Sequence, residues 1–300
     1  MERTGTLRWA DEAEWLFYNA GFGMRHPEES SITYCRTDNC YTLDERKHPD
    51  DVQWNPRYRF SPTHQDVAVC CVPNSGRMIP YFVQSMFVEY EQGYKAALYG
   101  SCTFTGIFHG VRVQIAETTD YPFDFDVNLD VTVERPVEMN LCLRFPQWAD
   151  DMTVNGKIYR REEVSGGEIV ISRRWQGTIS IKLSMNTQIR FKTDFNRDCY
   201  VSYGPVLYAV PLEAEEKTVR KLKPDPFMEK AYTPVDRKWE KLQIAYADFP
   251  TFRLAGEKPA KSFEDLKIMG SFRLDGCTVE KEMVPLAKTI LRKVTFEGIR

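Results

Sequence analysis

KAALYGSCTF (95–104), VRVQIAETTD (111–120), DVNLDVTV (126–133), EMNLCLRF (138–145), EIVISRRW (168–175) and TISIKLSM (178–185) are the runs that decide the fold. In DVNLDVTV, Val127, Leu129, Val131 and Val133 fall on one face, while Asp126, Asn128, Asp130 and Thr132 fall on the other. That period of two belongs to a strand with one buried face. Asn155-Gly156 and Gly166-Gly167 supply tight-turn signals between the runs. Short strands at this spacing predict a β-sandwich.

Outward from this block the texture changes on both sides. Upstream, ADEAEWLFYNA (10–20) has acidic residues in its first turn and Ala13, Leu16, Phe17 and Ala20 at helical spacing, which predicts a short helix ending at Gly21 and Gly23. A second helical pattern runs over 77–90, with Met78, Tyr81, Phe82, Ser85 and Met86 on one side and Pro80 early enough to be tolerated. Between the helices, 25–69 carries Pro27, Pro49, Pro56 and Pro62 and the charges of 44–47. It reads as a long excursion with at most a hairpin around 32–43, and loops of that length are usually functional. Downstream, a boundary near 195 opens a last block. It runs from CYVSYGPVLYAVPLE (199–213) through a charged, proline-rich stretch to TILRKVTFEG (289–298). This block is strand-rich, with a short helix over 259–266 as a further expectation.

The bulk numbers bound the function. Three hundred residues suit two or three domains, and 42% hydrophobic with 28% charged residues is ordinary for a globular chain. A net charge of −3 gives no reason to expect nucleic acid or an anionic membrane as partner. No run of about 18 apolar residues offers a membrane span. Residues 1–9 lack the apolar stretch of a signal peptide, so a cytoplasmic location is expected if Met1 is the true start; a missing N-terminus would change that. The eight cysteines, at 35, 40, 70, 71, 102, 142, 199 and 277, show no disulfide framework. Cys102, Cys142 and Cys277 fall in strand-like runs and read as small buried hydrophobes. The adjacent pair Cys70-Cys71 stands apart, and by itself reads first as two inert buried thiols and only second as a reactive site.

Several strings, in order, resemble the β-L-arabinofuranosidase family of glycoside hydrolases (family 127). AVCCVPNSGRM (68–78) is similar to the family's double-cysteine segment, although Val72 stands where the family usually has proline. WADEAEWLFYNA (9–20), ALYGS (97–101), ETTDYPFD (117–124), LRFPQWADDMTVNGK (143–157), SRRWQGTISIKLSM (172–185) and GPVLYAVPLE (204–213) resemble family segments in the same order. The resemblance spans nearly the whole chain, strongly from 9 to 213. It implies a mainly β fold with an α-helical N-terminal remnant: the end of an (α/α)6 barrel (1–92) followed by a β-sandwich (93–195) and a C-terminal β-sandwich (196–300). Family enzymes carry several hundred further residues upstream, which hold the general acid/base and a Glu-x-Cys zinc motif, and neither is found here.

By resemblance Cys70 is the nucleophile of a retaining mechanism, Cys70 and Cys71 both contact zinc, and Tyr34 lies in an aromatic segment where it either faces the sugar or packs as an ordinary core tyrosine. The chemistry suits the residues. The reactive species is the thiolate, and zinc removes the thiol proton and holds the sulfur. Pro73 is expected to keep Cys70 and Cys71 on an irregular segment. Two cysteines are too few for a zinc site, and Cys35 and Cys40 are the local candidates to complete it. The histidines at 26, 48, 64 and 109 read as solvated loop residues, His64 being nearest to the pair. Asp120, Asp124, Asp126 and Asp130 read as exposed strand and turn positions, and no carboxylate stands out as the acid a glycosidase needs. Trp148, Trp175 and Tyr121 read as core before they read as sugar-stacking platforms. The expected substrate is an arabinofuranoside-type glycan, with the chain inactive alone. The apolar face of the first helix predicts self-association or a complementing N-terminal chain. The alternative is a non-catalytic β-sandwich scaffold or carbohydrate-binding protein.

Overall fold

In a computed structural model the structure describes residues 6–34, 36–46, 58–64, 70–223, 226–256 and 259–299. Cys35 and His48 lie outside them, as does the middle of the expected excursion. The chain is mainly β and divides into two compact units, one of Met1–Leu16, Ile79–Gln188 and Pro259–Lys261, the other of Phe17–Met78, Ile189–Lys258 and Ser262–Arg300.

The first unit is built on two long antiparallel strands, Asp126–Arg144 and Glu168–Asn186, whose register shifts between Trp175 and Gly177. The early half of Asp126–Arg144 pairs with Val111–Thr119, which in turn pairs with Cys102–Phe108. Its late half pairs in parallel with Gly93–Ala96. The two long strands thus serve both halves of the sheet. Val127, Leu129, Val131 and Val133 are all buried, as their alternation predicts. Trp148, Trp175 and Tyr121 are buried too, so they are core.

The helix Arg8–Leu16 packs in an unexpected way. Its buried residues are Ala10 and Glu14, while Leu16 and Trp9 are more than half exposed. The apolar spacing therefore identifies the helix but not its packed face, because a buried glutamate has the sequence signature of a surface residue. Glu14 is held by three donors: Tyr121 Oη at 2.5 Å, Trp148 Nε1 at 3.1 Å and the Arg144 guanidinium. Arg144 also donates to Asp11 Oδ1 at 2.7 Å, and Asp11 accepts from the Gln147 N–H at 3.0 Å. Burial opposes the charge on Arg144, but Glu14 and Asp11 outweigh it and push the pKa of the guanidinium above its ordinary value. Close by in the same unit, Glu117 accepts from the Gly100 N–H at 2.7 Å, and burial lifts its carboxyl to about 8.

The second helix spans Cys71–Gln84, not 77–90, and residues Phe87–Tyr90 form a strand paired with Gly93–Ala96. Pro73 does not delay the helix. It sits in the first turn, where a missing N–H costs nothing, so Cys71 is helical and only Cys70 precedes it. The expected helix at 259–266 is absent. Ser262 and Asp265 form a polar turn instead, with the Ser262 N–H bonded to Asp265 Oδ2 at 2.9 Å. Cys142 is buried as expected, whereas Cys277 is exposed beside a hairpin turn and Cys102 is half-buried.

In the second unit a small sheet orders Ile32–Thr33, Phe60–Ser61, Met228–Pro234 and Ala214–Lys221. The 32–43 hairpin does not form: Ile32 pairs with Ser61 and Thr33 with Phe60. A larger sheet runs through Cys199–Tyr203, Val206–Leu212, Cys277–Pro285 and Ile268–Leu274. Cys40, Leu43, Phe60, Leu212, Tyr232 and Leu291 form one core cluster of this unit.

Candidate active site

Cys70 and Cys71 stand at the start of the helix Cys71–Gln84, the end at which unpaired N–H groups favour negative charge. The Asn74 N–H bonds back to the Cys70 carbonyl at 3.2 Å, and Arg25 donates to the Ser75 carbonyl at 2.6 Å, which ties the first turn down. Cys70 is exposed and Cys71 half-buried.

The Tyr34 hydroxyl lies 2.6 Å from Cys70 Sγ. Hydrogen bonding with Cys70 first, then with Cys71, together with burial, pushes the Tyr34 pKa well above its ordinary value. Either atom of the Tyr34–Cys70 contact can donate, and both sulfurs converge on the one hydroxyl. Tyr34 is buried, in contrast to the sulfur it touches. The structure therefore brings together all three residues singled out in the sequence.

His64 corrects an expectation. It is no solvated loop residue but fully buried, its Nε2 2.9 Å from the Ile32 carbonyl and its ring edge-on to Tyr34 at 5.8 Å. A carbonyl can only accept, so Nε2 carries the proton. His26 is also buried. Its Nδ1 accepts from the N–H groups of Glu28 and Glu29, and its Nε2 lies 3.1 Å from Tyr232 Oη. Burial lowers its pKa. His109 is exposed, as expected.

Sequence reasoning missed the charged groups of the small sheet. Glu229 is buried, accepts from Ser61 Oγ at 2.7 Å and Arg59 Nη2 at 3.2 Å, and is ion-paired with Arg220 at 2.9 Å. Lys230 pairs with Glu216 at 2.9 Å and with Glu29. No spacing signal links Glu229 to the cysteine segment, since it reaches Ser61 from 168 residues away.

Zinc fits these residues only in part. Thiolates are suitable ligands, but among the described residues no three His, Cys, Asp or Glu side chains come together to hold a metal. Cys40 is committed to the core cluster, and Cys35 lies outside the described residues. The described pair offers two sulfurs, short of the three protein ligands of a catalytic zinc.

Residues 94–187 match the family model described as β-L-arabinofuranosidase, GH127 middle domain. The resemblance to this family holds. The GH127 match covers most of the first unit, from the strand Gly93–Ala96 to the end of Glu168–Asn186. No curated protein matches the sequence. Among solved structures, a GH127 β-L-arabinofuranosidase from Geobacillus stearothermophilus T6 superposes with a TM-score of 0.72 at 18% identity, covering 99% of this chain and 47% of that one. A structure described as a glycoside hydrolase gives 0.71 at 17% identity, with 99% and 49% covered. Another GH127 β-arabinofuranosidase gives 0.70 at 16%, with 99% and 46% covered. The fold is thus that of a portion of GH127 structures, and the chain spans about half the length of those it matches. No helix among the described residues is long and apolar enough to cross a membrane.

Proposed function

We propose that this chain carries part of the active site of a retaining glycoside hydrolase of the β-L-arabinofuranosidase type, with Cys70 as nucleophile. The observation behind the reading is the convergence of the Cys70 and Cys71 sulfurs on the Tyr34 hydroxyl at a helix N-terminus. In the proposed step Cys70 Sγ attacks the anomeric carbon as the bond to the leaving oxygen breaks, and an acid supplies that oxygen with a proton. Water then displaces the sulfur, and two inversions give retention. Tyr34, beside the sulfur, contacts the bound sugar. The substrate is a terminal arabinofuranoside of a glycan.

Cys70 and Cys71 supply two ligands of a zinc site whose remaining ligands, like the acid, come from outside the described residues. In this reading those groups come from the part of a GH127 structure that the chain does not span, and the chain alone is inactive. The exposed Trp9 and Leu16 on the helix Arg8–Leu16 suit packing against further helices, from a complementing chain or a second copy. A cytoplasmic setting belongs to the same reading, since the spacing of the eight cysteines shows no disulfide framework. A purely carbohydrate-binding role gains nothing from Trp148, Trp175 or Tyr121, whose rings are buried.

The test is release of nitrophenol from a nitrophenyl β-L-arabinofuranoside. The chain alone should release none, with or without zinc. A polypeptide carrying the other half of a GH127 structure should restore release, and Cys70→Ser should abolish it again. Undiminished release from the Cys70→Ser mixture would rule out the nucleophile assignment.

A further inference from the structure

Tyr34 follows a strand of two residues, Ile32–Thr33, too short to fix where a phenol hydroxyl falls. Its ring is met edge-on by His64. His64 stands at φ 47°, a left-handed conformation that a non-glycine residue keeps when its surroundings hold it. The holding group is Ser61. Its Oγ accepts from the N–H groups of Thr63 at 3.2 Å and His64 at 3.0 Å. A serine hydroxyl has one proton and rotates until a partner takes it. Here that partner is Glu229 Oε1, at 2.7 Å. Glu229 arrives from the neighbouring strand, where Lys230 pairs with Phe60. Burial alone would raise the pKa of Glu229, but Ser61, Arg220 and Arg59 hold it below the ordinary carboxylate value, so the acceptor is a full charge.

We infer that Glu229, Ser61 and His64 form a positioning chain that fixes the Tyr34 hydroxyl on the Cys70 sulfur. The inference rests on the reading of Cys70 as the reacting sulfur, and these three residues act on it through Tyr34. Glu229 sets the hydroxyl rotor of Ser61, and Ser61 clamps the 61–64 turn. The turn and the Ile32 carbonyl together aim the His64 ring, and the ring limits where the Tyr34 ring can lie.

The experiment is fluorine NMR of the full 300-residue chain grown with 3-fluorotyrosine, the Tyr34 resonance being assigned by its loss in Tyr34→Phe. In the unaltered background Cys70→Ala should shift that resonance, because the sulfur leaves the hydroxyl. In Ser61→Ala and in His64→Asn backgrounds, most of that shift should be lost. Ser61→Thr, which keeps the hydroxyl, should preserve it. Asparagine tolerates the left-handed backbone, so His64→Asn removes the ring without forcing the turn open and serves if Ser61→Ala fails to fold. A full-sized shift in either of those backgrounds overturns the positioning chain while leaving the Tyr34–Cys70 contact in place. If Cys70→Ala moves nothing in the unaltered chain, the contact and the positioning chain both fall. Failure of the nucleophile assignment itself appears in the turnover assay, which this spectrum does not use.

Discussion

Arg144→Met should be among the most damaging substitutions in the first unit. The guanidinium is fully buried and bonded to Glu14, which is itself 1% exposed. Removing it strands a carboxylate that cannot reach water, and breaking a buried pair from one side costs about 3–5 kcal/mol. The lower end applies here, because Glu14 keeps its bonds from Tyr121 and Trp148. Replacing both partners is different: Glu14→Gln with Arg144→Met removes two charges at once while the amide can still accept from Trp148 and donate to Tyr121 Oη, so it should cost no more than about 1–2 kcal/mol. The double mutant should therefore be more stable than Arg144→Met alone. The assay is urea unfolding of all four proteins, read by hydrogen–deuterium exchange of peptides from the strand Asp126–Arg144, which reports on this unit alone. A cost for Arg144→Met below about 1 kcal/mol, or a double mutant as unstable as the sum of the singles, would refute the reasoning.

The carboxyl of Glu117, lifted by burial from 4.5 to about 8, makes the folded state hold a proton that the unfolded chain gives up. Its stabilising contribution is complete below the unfolded value and is lost as pH rises through the folded one. The urea midpoint of the first unit should fall between about pH 5 and pH 9, and less so in Glu117→Gln. Among the described cysteines, iodoacetamide should label exposed Cys70 and Cys277 well before buried Cys40, Cys142 and Cys199, as peptide mass mapping would report. Metal analysis of the purified, reduced chain should find well under one zinc per chain. A full equivalent that disappears in Cys71→Ser would mean that this chain completes the site itself.

Much of the fold could be read from local pattern. The alternation of Val127, Leu129, Val131 and Val133 is a one-dimensional signal, and burial follows it directly. The helix Cys71–Gln84 was harder to place, because Pro73 reads as a breaker and becomes harmless only in a first turn. Glu14 and His64 misled for a different reason. Both are polar residues buried against partners distant in sequence, Arg144 for one and the Ile32 carbonyl for the other. Of the candidate site, Cys70, Cys71 and Tyr34 came from resemblance and do meet in space. Ser61 and Glu229 were invisible because a strand pairing, not a motif, brings them together.

The most direct test of Cys70 as nucleophile is peptide mass mapping of the complemented enzyme, quenched in acid while it turns over an activated β-L-arabinofuranoside. A pentosyl group bound through sulfur to the peptide carrying Cys70 is the predicted result. Turnover with the sugar on a carboxylate, or with Cys70 unmodified and replaceable by serine, would contradict the account.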